Sequence, residues 1–299
     1  MRAAVYRSFG GPIEVETVAR PRCPEDGVLV EVKATGVCRS DWHGWKGHDA
    51  EIAEHGLPFV PGHELSGLVA EVGEGVTSLK VGDRVAVPFI LSCGYCRECA
   101  RSRPTICEKQ QQPGFTMLGS FAEFVAIPRA DRNLCLIPDG VSYVEAAALG
   151  CRTTTAYRAV IQRGRFRAGE SLAVFGCGGL GLSAIMIAAA QGIADESGAG
   201  LERSRIIAVD VSLEARQKAL ELGATDTVDA SEDPGKVQDA ILNLTDGVGE
   251  SMSLLIVVCR LSYRLRYFLH LAHHYSHTFT QVSTSRSMLQ GSPKHARLR

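Results

Sequence analysis

Four cysteines occur within one short stretch of the chain at a spacing that suits metal binding. Cys93, Cys96, Cys99 and Cys107 form a C-x2-C-x2-C-x7-C run, and four thiolates so spaced can surround one Zn²⁺ tetrahedrally. The run contains little apolar material, so a bound metal would give the loop its order. Disulfides are the alternative, but the chain shows no apolar secretory leader, and cytoplasmic thiols stay reduced. We therefore predict a structural zinc site in a cytoplasmic protein.

A G-x-G-x-x-G motif provides the second candidate site. It follows an apolar segment that is predicted as a strand, and it opens an apolar helix. Its residues are Gly176, Cys177, Gly178, Gly179, Leu180 and Gly181. Such glycines let a pyrophosphate approach the helix N-terminus, where free N–H groups favour anions. Asp210 ends the next predicted strand, and a carboxylate there would bind ribose hydroxyls and repel a 2′-phosphate. The pattern predicts NAD binding; a purely structural glycine turn is the alternative.

Three further segments each place a possible metal ligand beside turn residues. Cys38 lies within residues 36–43, His63 within 61–64, and Cys151 within 149–155. Taken singly each signal is weak, because a lone buried cysteine is more often a small hydrophobic residue. A lone histidine is likewise more often a satisfied polar group. Only the combination of the three indicates a second metal site.

The composition limits the classes of protein to consider. With 299 residues, 45% of them hydrophobic and 22% charged, and a net charge of −1, the chain is predicted to form about two soluble domains. Nothing in it indicates nucleic acid as a partner. The longest apolar stretch is far shorter than the roughly 18 residues of a membrane span.

The predicted elements change character along the chain. Short alternating segments ended by glycine, proline or charged turns predict β-strands in the first part of the chain, and together they indicate a compact, irregular β barrel. From about residue 171 onwards strands and helices alternate, which is typical of a doubly wound parallel sheet. Residues 192–204 are interpreted as an inserted surface loop, because Asp210 lies further from the glycine motif than usual.

In this order along the chain, the four-cysteine run, the glycine motif and the three ligand segments resemble the medium-chain zinc-dependent alcohol dehydrogenase family. The resemblance covers residues 1 to about 250. It implies an α/β plus β fold, with a GroES-like irregular β barrel carrying two zinc sites at residues 1–155. A partial Rossmann sheet for NAD would follow at residues 156–250. Cys38, His63 and Cys151 would hold a catalytic zinc and leave its fourth position open.

The same resemblance implies a reaction and roles for neighbouring residues. The zinc would assist oxidation of an alcohol to an aldehyde or ketone, with hydride transfer to NAD, and a cysteine as third ligand favours simple alcohols. Ser40 would take the alcohol proton and His43 would deliver it to water; a turn-capping Ser40 and a solvated His43 are the alternatives. The remaining assignments are Arg39 on the pyrophosphate, Thr155 beside the nicotinamide, Trp45 at the substrate pocket, and Asp41 and Glu64 orienting the ligands. The family also forms homo-oligomers.

The composition changes abruptly after Glu250. Residues 251–299 carry seven Lys and Arg, no acidic residue, five of the nine histidines and a single glycine. We expect a basic, poorly ordered tail that does not pair with the Ser171–Phe175 strand, and we hypothesise that a frameshift, missed splice or assembly error replaces the native continuation. The alternative function is then a catalytically inactive zinc-binding fragment or an interaction protein.

Overall fold

The chain forms two units, each with its own sheet. The computed structural model describes residues 1–193, 204–231, 233–245 and 252–256. The chain divides into the units Met1–Thr155 and Ala156–Arg299. The first unit is built on antiparallel strands and the second on parallel strands, as the change of pattern along the sequence predicts.

The first unit contains seven strands in two sheets. The strands are β1 (Arg2–Tyr6), β2 (Ile13–Thr17), β3 (Val28–Gly36), β4 (Glu64–Val72), β5 (Arg84–Val87), β6 (Phe124–Ile127) and β7 (Cys135–Leu136). β1 and β2 pair with each other, and the other five form an antiparallel sheet in the order β6-β3-β4-β5-β7. Pairing among these described strands does not close the sheet into a complete barrel, and the last strand has only two residues.

Short helices connect these strands. They are α1 (Arg39–Trp45), α2 (Ala50–His55), α3 (Arg97–Ala100), the 3₁₀ turn Pro104–Ile106, α4 (Ala130–Asn133), α5 (Tyr143–Ala148) and the π-helical turn Leu149–Thr153. α6 (Thr154–Tyr157) and the π-helical turn Arg158–Arg163 follow. Each helix is too short to be stable by itself, so the sheet and the loops must hold the side chains that they carry.

The longest strand pair of the first unit determines where its polar residues meet. Val30, Leu65, Val69 and Val85 are buried in one apolar cluster on the sheet. Pairing of β3 with β4 shifts register twice, which increases the local twist, and it ends with Gly36 opposite Glu64. Residues just after β3 and just before β4 therefore emerge side by side.

The second unit is a parallel sheet with helices on both faces. Its elements are β8 (Ser171–Phe175), α7 (Gly179–Ile193), β9 (Arg205–Asp210), α8 (Leu213–Glu221), β10 (Asp226–Asp229), α9 (Pro234–Leu244) and β11 (Met252–Ile256). The strand order is β10-β9-β8-β11 and every pairing is parallel. Ile185 packs with Leu172 and Ile206 on one face, whereas Ile241 packs with Ile207 on the other. This is the doubly wound arrangement predicted from the sequence.

One expectation about the end of the chain is wrong. We expected no residue after 250 to pair with the Ser171–Phe175 strand, but Met252–Ile256 lies parallel to it, with Met252 opposite Ser171 and Ile256 opposite Phe175. The physical reason is that Leu254-Leu255-Ile256 is a short apolar run, and such runs suit parallel strands whose faces are covered. The expected disorder of the later tail and most of the predicted loop at 192–204 lie outside the described residues.

None of the helices in the described parts of the chain is both long enough and apolar enough to cross a membrane.

Candidate functional site

The ends of β3 and β4 bring together residues from three distant segments. Cys38 follows β3, His63 and Glu64 stand at the start of β4, and Cys151 comes from the π-helical turn Leu149–Thr153. One ligand atom from each of these four residues lies within 4.8 Å of the others. We call them the mixed cluster. The sequence interpretation assigned an orienting role to Glu64, and the structure places its carboxylate among the possible ligands.

Asp41 orients two members of the mixed cluster. Its Oδ2 accepts a hydrogen bond from the Cys38 backbone N–H at 2.8 Å, and its Oδ1 accepts one from the Gly62 N–H at 3.1 Å. The same Oδ1 lies 3.0 Å from His63 Nδ1. His63 is only 1% exposed, and its Nε2 has no hydrogen-bond partner among the described residues. The ring thus presents Nε2 as the nitrogen available to a cation.

Protons on His63 and Cys151 offset the negative charges of the mixed cluster. The hydrogen bond from Cys151 lowers the pKa of Cys38 against the effect of burial, while that thiolate and burial raise the pKa of Cys151. Burial opposes charge on His63, yet Asp41 and the Cys38 sulfur outweigh it and raise the pKa of His63 to about 10. Burial also raises the pKa of Glu64. A divalent cation would displace the protons held by His63 and Cys151, so its binding should depend on pH.

The unsatisfied polar atoms of the mixed cluster fit a metal ion. His63 Nε2 and both oxygens of Glu64 are buried without hydrogen-bond partners among the described residues, which is costly unless something else binds them. Two cysteine sulfurs and an imidazole are the donors that zinc prefers. The donor set is therefore suited to Zn²⁺.

The second cluster consists of the four cysteines of the predicted zinc loop. Cys93, Cys96, Cys99 and Cys107 are all buried, and their sulfurs lie within 4.8 Å of one another. The sulfurs of Cys93 and Cys99 are 4.0 Å apart and those of Cys96 and Cys107 are 3.8 Å apart. A disulfide requires about 2.05 Å, so these thiols are free. We call them the four-thiol cluster, and its donor set also suits Zn²⁺.

Ser92 ties the four-thiol cluster to α4. Its N–H donates to Asn133 Oδ1 at 2.8 Å, and Asn133 Nδ2 donates to its carbonyl at 3.2 Å. Arg132 Nε donates to the Ser92 hydroxyl at 2.9 Å, and Arg129 Nε donates to the Ser92 carbonyl at 3.2 Å. The sequence interpretation missed all three of these side chains, since nothing in their local pattern distinguishes them from surface polar residues.

The predicted relay residues lie on α1 beside the mixed cluster. Ser40 Oγ is 3.7 Å from Cys38 Sγ. His43 is exposed, and its Nδ1 lies 3.4 Å from Nδ1 of His48, a neighbour that the sequence interpretation missed. Burial, followed by the charges of Arg39 and His48, lowers the pKa of His43. The exposed His43 ring is therefore accessible to water.

The resemblance assigns cofactor or substrate contacts to three further residues, and the structure shows their surroundings within the first unit. The Arg39 guanidinium lies 5.0 Å from the Trp42 ring centroid. Trp45 donates through Nε1 to the Gly11 carbonyl at 2.7 Å and packs against an aromatic core cluster, which accounts for its burial without a ligand. Thr155 is half-buried at the end of the first unit.

The glycine motif forms the tight turn between β8 and α7. Gly176 has a φ of +88°, which L side chains rarely adopt. A Cβ on Gly181 would stand 1.9 Å from the Gly176 carbonyl oxygen, so only glycine fits there. Leu180 packs against the core, and Gly179 begins α7 while the Gly178 carbonyl accepts from the Leu182 N–H. The free N–H groups at the start of this helix suit a phosphate group.

Asp210 connects the glycine turn to the end of β9. Its Oδ2 accepts from the Cys177 N–H at 2.7 Å and its Oδ1 from the Ser212 N–H at 2.8 Å, and each oxygen keeps a lone pair for another donor. Arg216, which the sequence interpretation missed, donates to the Asp210 carbonyl at 2.6 Å and to Asp229 Oδ2 at 2.7 Å. The carboxylate is thereby held beside the glycine turn.

Comparison with known proteins identifies relatives for most of the chain. Residues 24–139 match the family described as alcohol dehydrogenase GroES-like domain. Two alcohol dehydrogenases of Geobacillus stearothermophilus are 38% identical over 78% and 86% of this chain, which cover 65% and 70% of their own lengths. The chain thus spans about two thirds of these relatives.

Solved structures of alcohol dehydrogenases also resemble this chain. The alcohol dehydrogenase of Aeropyrum pernix has a TM-score of 0.72 and 33% identity over 83% of this chain and 70% of that one. The alcohol dehydrogenase TADH of Thermus sp. ATN1 has a TM-score of 0.72 and 31% identity over 90% of this chain and 82% of that one. The predicted fold class, a GroES-like unit followed by a partial Rossmann sheet, is confirmed. The chain belongs to the medium-chain alcohol dehydrogenase family.

Proposed function

We propose that this chain oxidises an alcohol to an aldehyde or ketone and transfers the hydride to NAD. The observation that carries the proposal is the mixed cluster, in which Asp41 orients His63 and leaves its Nε2 without a partner. Cys38, His63 and Cys151 would hold one zinc ion, and the four-thiol cluster would hold a second. The first zinc would supply Lewis acidity that polarises the oxygen of the alcohol.

The residues of α1 would handle the proton that the alcohol loses. In the proposed mechanism the Ser40 hydroxyl, which lies against the Cys38 sulfur, accepts this proton as it passes its own towards His43. His43 passes it to water, and its contact with His48 offers a further acceptor. Acid–base groups of this kind contribute about 10²–10⁴-fold to a rate.

The second unit would bind the nucleotide. The glycine turn would receive the pyrophosphate. The roles of Arg39 and Thr155 in binding the cofactor stay predictions. Asp210 would accept hydrogen bonds from the ribose and disfavour the 2′-phosphate of NADP. In this proposal residues 1–155 are the catalytic domain and the residues from 156 onwards belong to the cofactor domain. Homo-oligomer formation stays a prediction.

The test is NADH formation by the anaerobically purified 299-residue chain with a panel of small primary and secondary alcohols. We expect turnover that is lost in Cys38→Ser and His63→Ala and retained in Cys135→Ser, which removes an exposed thiol outside both clusters. Binding of NAD is measured in parallel by calorimetry. A chain that binds zinc and NAD but turns over no alcohol would contradict the proposal and favour the inactive zinc-binding alternative.

A further inference from the structure

Glu64 is a buried carboxylate without a hydrogen bond. It is 0% exposed, and neither of its oxygens has a partner among the described residues. The space for its side chain exists because Gly36 stands opposite in β3, where an added Cβ would lie 2.2 Å from Glu64 Oε2. A buried carboxylate must be neutralised by a nearby cation or by a proton. The question is which cation Glu64 uses.

Once a metal has replaced the proton on His63, two cations can reach this carboxylate. One is a metal ion in the mixed cluster, since the Glu64 oxygen lies within 4.8 Å of the other three ligand atoms. The other is Arg152, whose Nη1 is 4.0 Å from Glu64 Oε2. This distance is too long for a hydrogen bond, so Arg152 attracts the carboxylate without fixing it in place. A small side-chain movement would bring it to one or the other.

Arg152 is well situated to hold the carboxylate. It follows Cys151 directly in the π-helical turn, and that turn is fixed by the hydrogen bond from the Thr153 hydroxyl to the Ala148 carbonyl at 3.0 Å. Its side chain is 39% exposed, so the guanidinium keeps part of its hydration while it faces a fully buried anion. Of the other charged groups around Glu64, the Cys38 thiolate and Asp41 repel it. His63 attracts it only while the ring is protonated, and a metal on Nε2 takes the place of that proton.

We propose that Arg152 is a positioning residue that draws the Glu64 carboxylate away from the metal and keeps the fourth metal position open. The inference rests on the proposed function, because it requires a metal held by Cys38, His63 and Cys151. With Glu64 on Arg152, the metal has three protein ligands and one position for substrate. With Glu64 on the metal, the site has four protein ligands and is closed, as in structural sites.

The test measures how readily the metal accepts an external ligand. Cobalt(II) replaces zinc in the full 299-residue chain, and imidazole, which is neutral, is titrated while the visible absorption bands of cobalt are recorded. Arg152→Met removes the charge at similar length, and Arg152→Gln does the same with a polar side chain. Arg7→Met is the matched control, because it removes an arginine from an exposed ion pair with Glu16.

We expect weaker imidazole binding in both Arg152 variants. If Glu64 then occupies the fourth position nine tenths of the time, the apparent dissociation constant rises about tenfold, and the cobalt bands change without added imidazole. Arg152→Lys should restore much of the binding, and the double variant Glu64→Gln/Arg152→Met should restore it as well. The four-thiol cluster contributes equally to all of these spectra and cancels in the differences.

Three outcomes would overturn the inference. If both charge-removing variants bound imidazole as tightly as the wild-type chain, Arg152 would not control access to the fourth metal position. A double variant as weak as Arg152→Met would show that the effect does not pass through Glu64. Wild-type chain with cobalt only in the four-thiol cluster would overturn the proposed function and this inference together, and cobalt counts distinguish that result from the other two.

Discussion

The two cysteine clusters of the first unit have similar size but depend on different parts of the protein. Each brings four possible ligand atoms within 4.8 Å of one another. The four-thiol cluster comes from one loop, residues 93–107, with little apolar core of its own. The mixed cluster comes from segments as far apart as Cys38 and Cys151, which the β3–β4 pair and the π-helical turn bring together. The fold of the four-thiol loop should therefore depend on its metal, whereas the mixed cluster should keep its arrangement without one.

The clusters also differ in the chemistry around them. The four-thiol cluster offers only sulfur ligands. Hydrogen bonds from Asn133, Arg132 and Arg129 hold Ser92, the residue just before its first cysteine. The mixed cluster combines sulfur, imidazole and carboxylate, and Arg152 stands beside it. A closed set of four identical ligands suits a structural ion, whereas a varied set with an adjacent cation suits a position that exchanges its ligand.

The largest effect is expected from Cys99→Ser. Cys99 is buried in the four-thiol cluster, and loss of one thiolate should release the ion on which the fold of the loop depends. We expect one zinc fewer per chain and rapid proteolytic cleavage between residues 93 and 107. Cys135→Ser is the control, since that thiol is exposed and belongs to neither cluster. If the loop of the metal-depleted variant stayed uncleaved, the two clusters would not differ in how far their fold depends on metal.

Cys151→Ser should also lose one zinc but leave the fold in place. The scaffold of the mixed cluster is the β3–β4 pairing and its apolar core, which the substitution does not touch. We expect the proteolysis pattern of the wild-type chain and a small change in the melting temperature. Cleavage within residues 93–107 of this variant would mean that the clusters are not independent.

Asp41→Asn should weaken metal binding at the mixed cluster without abolishing it. The amide keeps one oxygen acceptor but no longer fixes His63 through a carboxylate. Loss of such a partner typically costs about 10–100-fold in metal affinity. Competition with a chromophoric chelator measures this constant, and retention of the four-thiol zinc in the same sample is the internal control. Unchanged affinity would remove Asp41 from the account.

Asn133→Ala should act on the four-thiol cluster alone. It removes both hydrogen bonds to the Ser92 backbone and leaves buried groups unpaired, at a cost of about 1–3 kcal/mol in the free energy of unfolding. We also expect faster zinc release to a chelator from this cluster. Equal release rates in wild type and variant would mean that Ser92 does not hold the loop.

The smallest effect is expected from Asp131→Asn on the same helix. Hydrogen bonds from Ser78 and Thr77 hold the pKa of the exposed Asp131 well below its usual range. The carboxylate therefore adds stability above the ordinary carboxyl pKa of about 3.9, and this contribution is lost as the pH falls. We expect about 1 kcal/mol or less at neutral pH, shrinking towards pH 3, and no change in zinc release. Denaturant unfolding at several pH values measures it, and a variant effect that grows on acidification would contradict the sign.

The sequence predicts the features whose residues are close together along the chain. The cysteine run and the glycine motif are of this kind, because their spacing alone determines the geometry of a loop or turn. The segments of Cys38, His63 and Cys151 are weak signals singly and need the family resemblance, since only the β3–β4 pairing and the π-helical turn Leu149–Thr153 bring them together.

The features that the sequence did not predict depend on tertiary contacts. Arg152, Asn133 and Arg216 act through backbone or side-chain groups in other segments, and no local pattern distinguishes them from ordinary polar residues. β11 is not predicted for a different reason: the composition changes after Glu250, and an apolar run as short as Leu254-Leu255-Ile256 does not by itself indicate a strand, although it can pair with β8.

The most direct test of the account is a zinc count on three proteins purified anaerobically: the wild-type chain, Cys99→Ser and Cys151→Ser. Two independent clusters predict about two zinc ions per wild-type chain and about one in each variant, with the missing ion assigned by which cysteines resist alkylation. A wild-type chain with one zinc or none, a disulfide within residues 93–107, or a single substitution that empties both clusters would contradict it.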